Sequence, residues 1–162
     1  MKFTLVKDLR GNTLLRPLLG GLLVFILLFL SADIILKNDH IGLTIQTLST
    51  TLYGNEEEYI EPVTFHFILE LLHSDIFFMM MTLLTLGAIF SRLCEKNRLR
   101  ILIINITMAS ALLDVLFLFG AYFFGPLFIP LWIGVFWIWH VGAFIMSLLS
   151  LFHLFAPKKA LI

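Results

Sequence analysis

Charged residues are scarce in this chain. Lysine, arginine, aspartate and glutamate make up 14% of the 162 residues, whereas a soluble domain has about 25%. Hydrophobic residues reach 60%, against about 45–50% in a soluble domain, and they form blocks long enough to cross a bilayer. This composition excludes an ordinary soluble domain. It predicts an all-α integral membrane protein, organised as a single domain over residues 1–162.

Cysteine and known enzyme motifs are also nearly absent. Cys94 is the only cysteine, which excludes an intrachain disulfide and a Cys/His metal cluster, so we interpret it as an incidental thiol. The sequence has no phosphate-binding glycine loop, no G-x-S-x-G and no H-E-x-x-H, and we therefore expect a non-catalytic protein. An intramembrane hydrolase or isomerase built from Asp75, Asp114 and His140 is an alternative that no motif would reveal. A net charge of zero gives no reason to expect nucleic acid as a partner.

Four apolar blocks predict four transmembrane helices in an antiparallel up-down bundle. Crossing the hydrocarbon core of about 30 Å takes roughly 20 residues at about 1.5 Å each. The Gly125-Pro126 pair predicts a tight turn, which makes the last two helices antiparallel neighbours. Gly20 and Gly21 favour the close approach of another helix to the first one. The predicted spans cover about residues 17–36, 64–91, 101–124 and 130–155.

Two amphipathic segments flank the first span. Residues 1–16 place apolar side chains at helical spacing among basic ones, which predicts a short helix on the cytoplasmic membrane surface. Residues 38–63 form the longest hydrophilic segment, and apolar residues between positions 41 and 52 recur there at helical spacing. We therefore expect a second amphipathic helix on the outer face, between the first two spans.

The positive charges predict the orientation of the chain. Residues 1–16 hold four lysines and arginines, residues 91–100 hold four more and the C-terminal tail holds two, which leaves Lys37 alone on the other side. Positively charged loops stay in the cytoplasm. We expect a multi-pass protein of the inner membrane with both termini in the cytoplasm and residues 38–63 outside.

Ionisable residues inside the predicted spans are the strongest functional signal, because charges at membrane depth are costly and normally face protein or water. Counting from the cytoplasmic helix ends places His73, Asp114 and His140 about 20–25 Å deep, on the outward side of the midplane. Small and hydroxyl residues share one helical face with Asp114 and with His140, which predicts that both face the bundle interior. We predict an intramembrane polar site with five members: Glu70, His73, Asp75, Asp114 and His140.

One interpretation of this site is structural. Polar groups inside a membrane can fix helix packing without doing chemistry. A small protein with four spans and short loops exposes little surface of its own to water. Under this interpretation the protein is surrounded by lipid and is a subunit of a larger membrane complex or a homo-oligomer.

A second interpretation is electron transfer through a b-type haem. His73 and His140 lie at matching depth, and the small residues Gly142, Ala143 and Ser147 would make room for the ring. This plan resembles the four-helix membrane cytochrome b subunits in helix count and in paired histidines. The resemblance implies haem ligation by these two histidines, with quinone contact near His66 and Glu70.

A third interpretation is the handling of protons or metal ions. His66, Glu70 and His73 stand at positions i, i+4 and i+7, so they share a helical face and form a candidate metal site. A second Glu-x-x-His motif is missing, which excludes a di-metal bundle of the known kind. A proton relay would run from Glu70 through His73 to Asp114 and stop short of the cytoplasmic side.

Overall fold

The computed structural model describes residues 13–94 and 97–156, and this part of the chain is all-helical. Four of its helices are long and apolar enough to cross a membrane, which confirms the predicted fold class. Most of the predicted surface helix over residues 1–16 lies outside the described residues. The helices are α1 (Leu15–His40), α2 (Ile45–Tyr53), α3 (Phe65–Leu93), α4 (Asn97–Phe124) and α5 (Phe128–Phe155).

Hydrogen bonds at the helix ends establish the antiparallel order. Arg16 at the start of α1 donates from Nη2 to the carbonyl oxygen of Phe155 at the end of α5, at 3.3 Å. Tyr53 at the end of α2 donates from its hydroxyl to the carbonyl oxygen of Ala121, near the end of α4, at 2.5 Å. Burial raises the pKa of Tyr53, so its phenol keeps the donated proton at neutral pH. The ring of Phe65 at the start of α3 lies 5.7 Å from the ring of Phe123 at the end of α4, so the long helices alternate in direction. The short helix α2 lies at the end of the bundle where α4 ends; we call this the α2 end.

The central helix of the bundle is α5. It contacts each of the other four helices, and the large rings of Trp132, Phe136 and Trp139 on it are buried. Both α1 and α3 pack against α5, but they approach each other little. A gap therefore remains between α1 and α3.

Glycines set the closest helix contacts. A Cβ atom on Gly142 of α5 would lie 2.1 Å from the Oγ1 atom of Thr107 on α4, so these backbones meet only because the glycine has no side chain. Gly20 of α1 meets the ring of Phe155 in the same way, at 2.8 Å. This confirms the prediction that Gly20 admits a neighbouring helix, whereas Gly21 has nothing within 4 Å.

The first span is longer than predicted. The polar residues near Asp33 and Lys37 suggested an end near residue 36, but α1 continues to His40. Polar residues end a span when water must solvate them, and here both side chains have protein partners on other helices. The short helix α2 begins after Thr44, whose hydroxyl accepts a hydrogen bond from the backbone N–H of Thr47 in a capping box.

Candidate intramembrane polar site

A buried ion pair joins α1 to α3. The Nζ atom of Lys37 donates to the Oδ2 atom of Asp75, and the lysine is only 3% exposed. Moving two charged groups out of water costs a large desolvation free energy, which their attraction offsets when they are in direct contact. Lys37 is therefore committed to Asp75, and removing either partner would leave an unpaired buried charge.

A second polar pair joins α1 to α5. His140 is fully buried; its Nδ1 atom lies 2.9 Å from the carbonyl oxygen of Phe136, and its Nε2 atom lies 3.1 Å from the Oδ2 atom of Asp33. A carbonyl oxygen only accepts hydrogen bonds, so Nδ1 carries a hydrogen. The bond at Nε2 then needs a second proton, held either by His140 or by Asp33. In both cases one proton lies between the two groups, and the pair is neutral as a whole.

Asp114 on α4 is the remaining carboxyl of the site. It is 1% exposed, and its Oδ1 atom has no hydrogen-bond partner in the described part of the chain. The charges of Lys37, Asp75 and Asp33 act on it, so it belongs to the same electrostatic cluster. We define the polar cluster as Asp33, Lys37, Asp75, Asp114 and His140. Because the other four members balance one another, the cluster is neutral when Asp114 carries a proton.

The structure brings together part of the predicted site. Asp75, Asp114 and His140 are buried in the cluster. His73 does not join them, because its side chain is exposed. Asp75 and His73 lie two residues apart on one helix and so point in nearly opposite directions, which allows only one of them to face the core.

Two members of the cluster were not among the predicted site residues. Asp33 and Lys37 were interpreted as the polar end of the first span, and the structure places both in the bundle. Their spacing carried a signal, since residues at i and i+4 share one face of a helix that continues. The partners could not be found in this way, because Asp33 and His140 are 107 residues apart.

The remaining predicted site residues form an exposed row on α3. Its members lie on one face of the helix, and none has a hydrogen bond or ion pair with the described chain. Over residues 13–94 and 97–156, no three histidine, cysteine, aspartate or glutamate side chains group as a metal site. The row also lies on the surface and does not lead to the buried Asp114. We call this row the α3 stripe: His66, Glu70 and His73.

The geometry does not fit a haem between His73 and His140. Both ring nitrogens of His140 are engaged by oxygen atoms, and His73 is exposed. The space beside Gly142 is taken by Thr107, whose Oγ1 atom would be 2.1 Å from an added Cβ. These residues therefore supply neither two free axial ligands nor room for the ring.

A cavity of about 470 Å³ lies between α1 and α3, beside the polar cluster. The rings of Phe29 and Phe78, with centroids 5.6 Å apart, lie at the end of the cavity away from α2. We call this space the α1–α3 groove. Its polar lining residues are Asp33, Lys37, His40, Glu70, Ser74 and Asp75.

Comparison with known proteins identifies a family but no characterised relative. Residues 42–161 match the family model Aq_1264_TM, which is described as a transmembrane helical domain. The matched range includes Asp75, Asp114 and His140, and it begins after Asp33 and Lys37. No curated protein and no solved structure matches the chain.

Proposed function

Since the chain belongs to this family of transmembrane helical domains and is a multi-pass membrane protein, we propose that it is a non-catalytic subunit of a larger complex in the inner membrane. The observation that supports this proposal is the α3 stripe. His66, Glu70 and His73 are exposed on one helix face, over about 10 Å of its length, without a partner in the described chain.

Ionisable side chains on the outer surface of a membrane helix call for a partner. Such residues are expensive in lipid, and they normally face protein or water. The neighbours of the stripe include the exposed apolar residues Leu69 and Phe77, so this face continues an apolar surface. A second membrane protein that packs there would cover the apolar residues and supply hydrogen-bond partners to the stripe.

The polar cluster supports a structural role in the same protein. Lys37 contacts Asp75 directly and His140 contacts Asp33 directly, so these two pairs hold α1 against α3 and α5. Direct contact leaves no gap for a cofactor between the partners. The cluster holds these helices together, while the α3 stripe is exposed and its member Glu70 also borders the α1–α3 groove.

Photo-crosslinking in native membranes tests the subunit proposal. A photoreactive residue at Leu69, which is exposed beside the stripe, should form an adduct with one protein of defined mass. The matched position is Leu131, which is similarly exposed on a different helix, α5, and it should label lipid. Glu70→Gln should reduce the Leu69 adduct about tenfold or more, since a charge-assisted hydrogen bond contributes about 1.5–3 kcal/mol. Lipid adducts alone at both positions would contradict the proposal.

A further inference from the structure

We propose that the α1–α3 groove binds a single-chain amphiphile with a primary ammonium head group. The groove has the volume of a ligand site: its 470 Å³ lies within the range of about 300–1,000 Å³ that small-molecule pockets occupy. It lies where α1 and α3 separate, because both pack on α5 and little on each other. A ligand dissolved in the membrane can therefore enter sideways between these helices.

The charges of the lining select a cationic head group. Lys37 is committed to Asp75, so it is not free to bind an anion. Asp33 bonds His140 through Oδ2, which leaves Oδ1 for a ligand, and the carboxylate of Glu70 has no partner in the described chain. These acceptors suit the three N–H donors of an ammonium group.

Two further polar groups lie on the same lining. Ser74 adds a hydroxyl group beside the carboxylates. The ring of His40 stands edge-on to Phe67, with centroids 6.4 Å apart, at the side of the groove nearest the α2 end. Lys37 and Asp75 offset each other and Asp33 is paired with His140, so Glu70 supplies the unpaired carboxylate of the lining.

The apolar part of the groove suits an alkyl chain. Leu36 and Leu71 line it among the polar residues, and the rings of Phe29 and Phe78 line the end away from α2. A chain gains little by moving from lipid into such a groove, since both surroundings are apolar. Selectivity therefore rests on the head group, and charge-assisted hydrogen bonds should favour the amine over the matched alcohol roughly tenfold or more.

Photolabelling of the purified chain in phosphatidylcholine nanodiscs tests this proposal. The probe is a dodecylamine with a diazirine near the chain end, and it should label peptides that contain Phe29 or Phe78. Unlabelled dodecylamine should compete, whereas dodecanol and dodecanoate should need at least about tenfold higher concentrations. Equal competition by dodecanol, or labelling elsewhere, would overturn the proposal. Because only the purified chain is present, the result is independent of any partner subunit.

Two variants distinguish binding in the groove from general binding to the protein surface. Ala32→Trp fills the groove and should lower specific labelling about tenfold, whereas the matched Ala88→Trp, on an exposed part of α3 outside the groove, should keep it. Glu70→Gln should reduce the preference for the amine over dodecanol while leaving the fold unchanged. Should Ala32→Trp fail to fold, Glu70→Gln still decides: an unaltered preference for the amine would overturn the proposal.

Discussion

Lys37 and Asp75 show how a charged residue can lie inside a membrane bundle. Each has its opposite charge in direct contact, and neither has an alternative partner in water. Breaking a buried ion pair by removing one partner typically costs 3–5 kcal/mol, whereas replacing both partners by apolar residues is often neutral. The intact pair therefore adds little net stability compared with apolar residues, whereas the loss of one partner is strongly destabilising.

A double-substitution experiment measures this asymmetry. Lys37→Met should lower the free energy of unfolding in mixed micelles by about 3–5 kcal/mol, because Asp75 is left as an unpaired buried charge. The double variant Lys37→Met/Asp75→Leu should recover most of that loss. Asp39→Leu on the exposed last turn of α1 is the control and should stay within about 0.5 kcal/mol. If the double variant loses as much free energy of unfolding as Lys37→Met and Asp75→Leu lose together when each is made alone, the two residues are not coupled.

Among the elements, α4 and α5 form the tightest pair, joined by a tight turn at Gly125 and packed around Gly142. Position 142 requires glycine because the neighbouring side chain of Thr107 cannot rotate away. Thr107 is β-branched, and its hydroxyl donates to the carbonyl oxygen of Ile103 at 2.8 Å. The side chain that blocks an added Cβ is thus held in place by its own helix.

Substitution of two glycines on α5 tests this contact. Gly142→Ala should destabilise the protein by about 1–3 kcal/mol, because its Cβ would overlap Thr107 unless the helices separate. Gly134→Ala has nothing within 4 Å of the new atom and should be neutral or stabilising by up to about 1 kcal/mol. The free energies of unfolding of both variants provide the measurement. A similar loss at both positions would show that close packing is not the cause.

α1 is attached to the bundle in a different way from α4. It packs along α5, but at its far side it meets α3 through the Lys37–Asp75 pair beside an open groove. Two helices joined by a few side-chain contacts, as α1 and α3 are, can leave space next to those contacts, whereas helices that interlock through small residues cannot. This difference explains why the groove lies at α1 and not between α4 and α5.

For the whole molecule, the distribution of lysine and arginine supports an orientation with the α2 end outside the cytoplasm. Lys37 is at that end, but it is buried and paired with Asp75, so it adds no free positive charge to the outer loop. The exposed turn after α2 is acidic, with glutamates at 56, 57 and 58. The α2 end therefore presents less free positive charge in the folded molecule than a count of residues suggests.

Cysteine labelling in intact cells tests this orientation. In a Cys94→Ser background, Glu57→Cys should react with a membrane-impermeant maleimide, because it lies in the exposed turn after α2. Arg98→Cys, exposed near the start of α4 at the opposite end, should react only after the membrane is permeabilised. The reverse labelling pattern would place the α2 end in the cytoplasm.

The lengths and directions of the long helices could be predicted from the sequence. The bilayer thickness sets the number of apolar residues in a span, so the four long helices appear close to their predicted positions. The alternation of the spans follows from their short connections. A common depth for Asp75, Asp114 and His140 is expected from counting along helices of constant rise, and it stays a prediction. These properties depend on local sequence and on the bilayer, not on which helices become neighbours.

The pairing of the polar groups depended on the tertiary structure. Local periodicity shows which residues share a face, but not how far each helix is rotated towards its neighbours. That rotation buries Asp75 and exposes His73, and it brings Asp33 to His140 across 107 residues of sequence. Lys37 can lie inside α1, before its end at His40, because Asp75 on α3 pairs with it. A charged residue ends a membrane span or lies within it according to whether a partner is near, and packing alone supplies that partner.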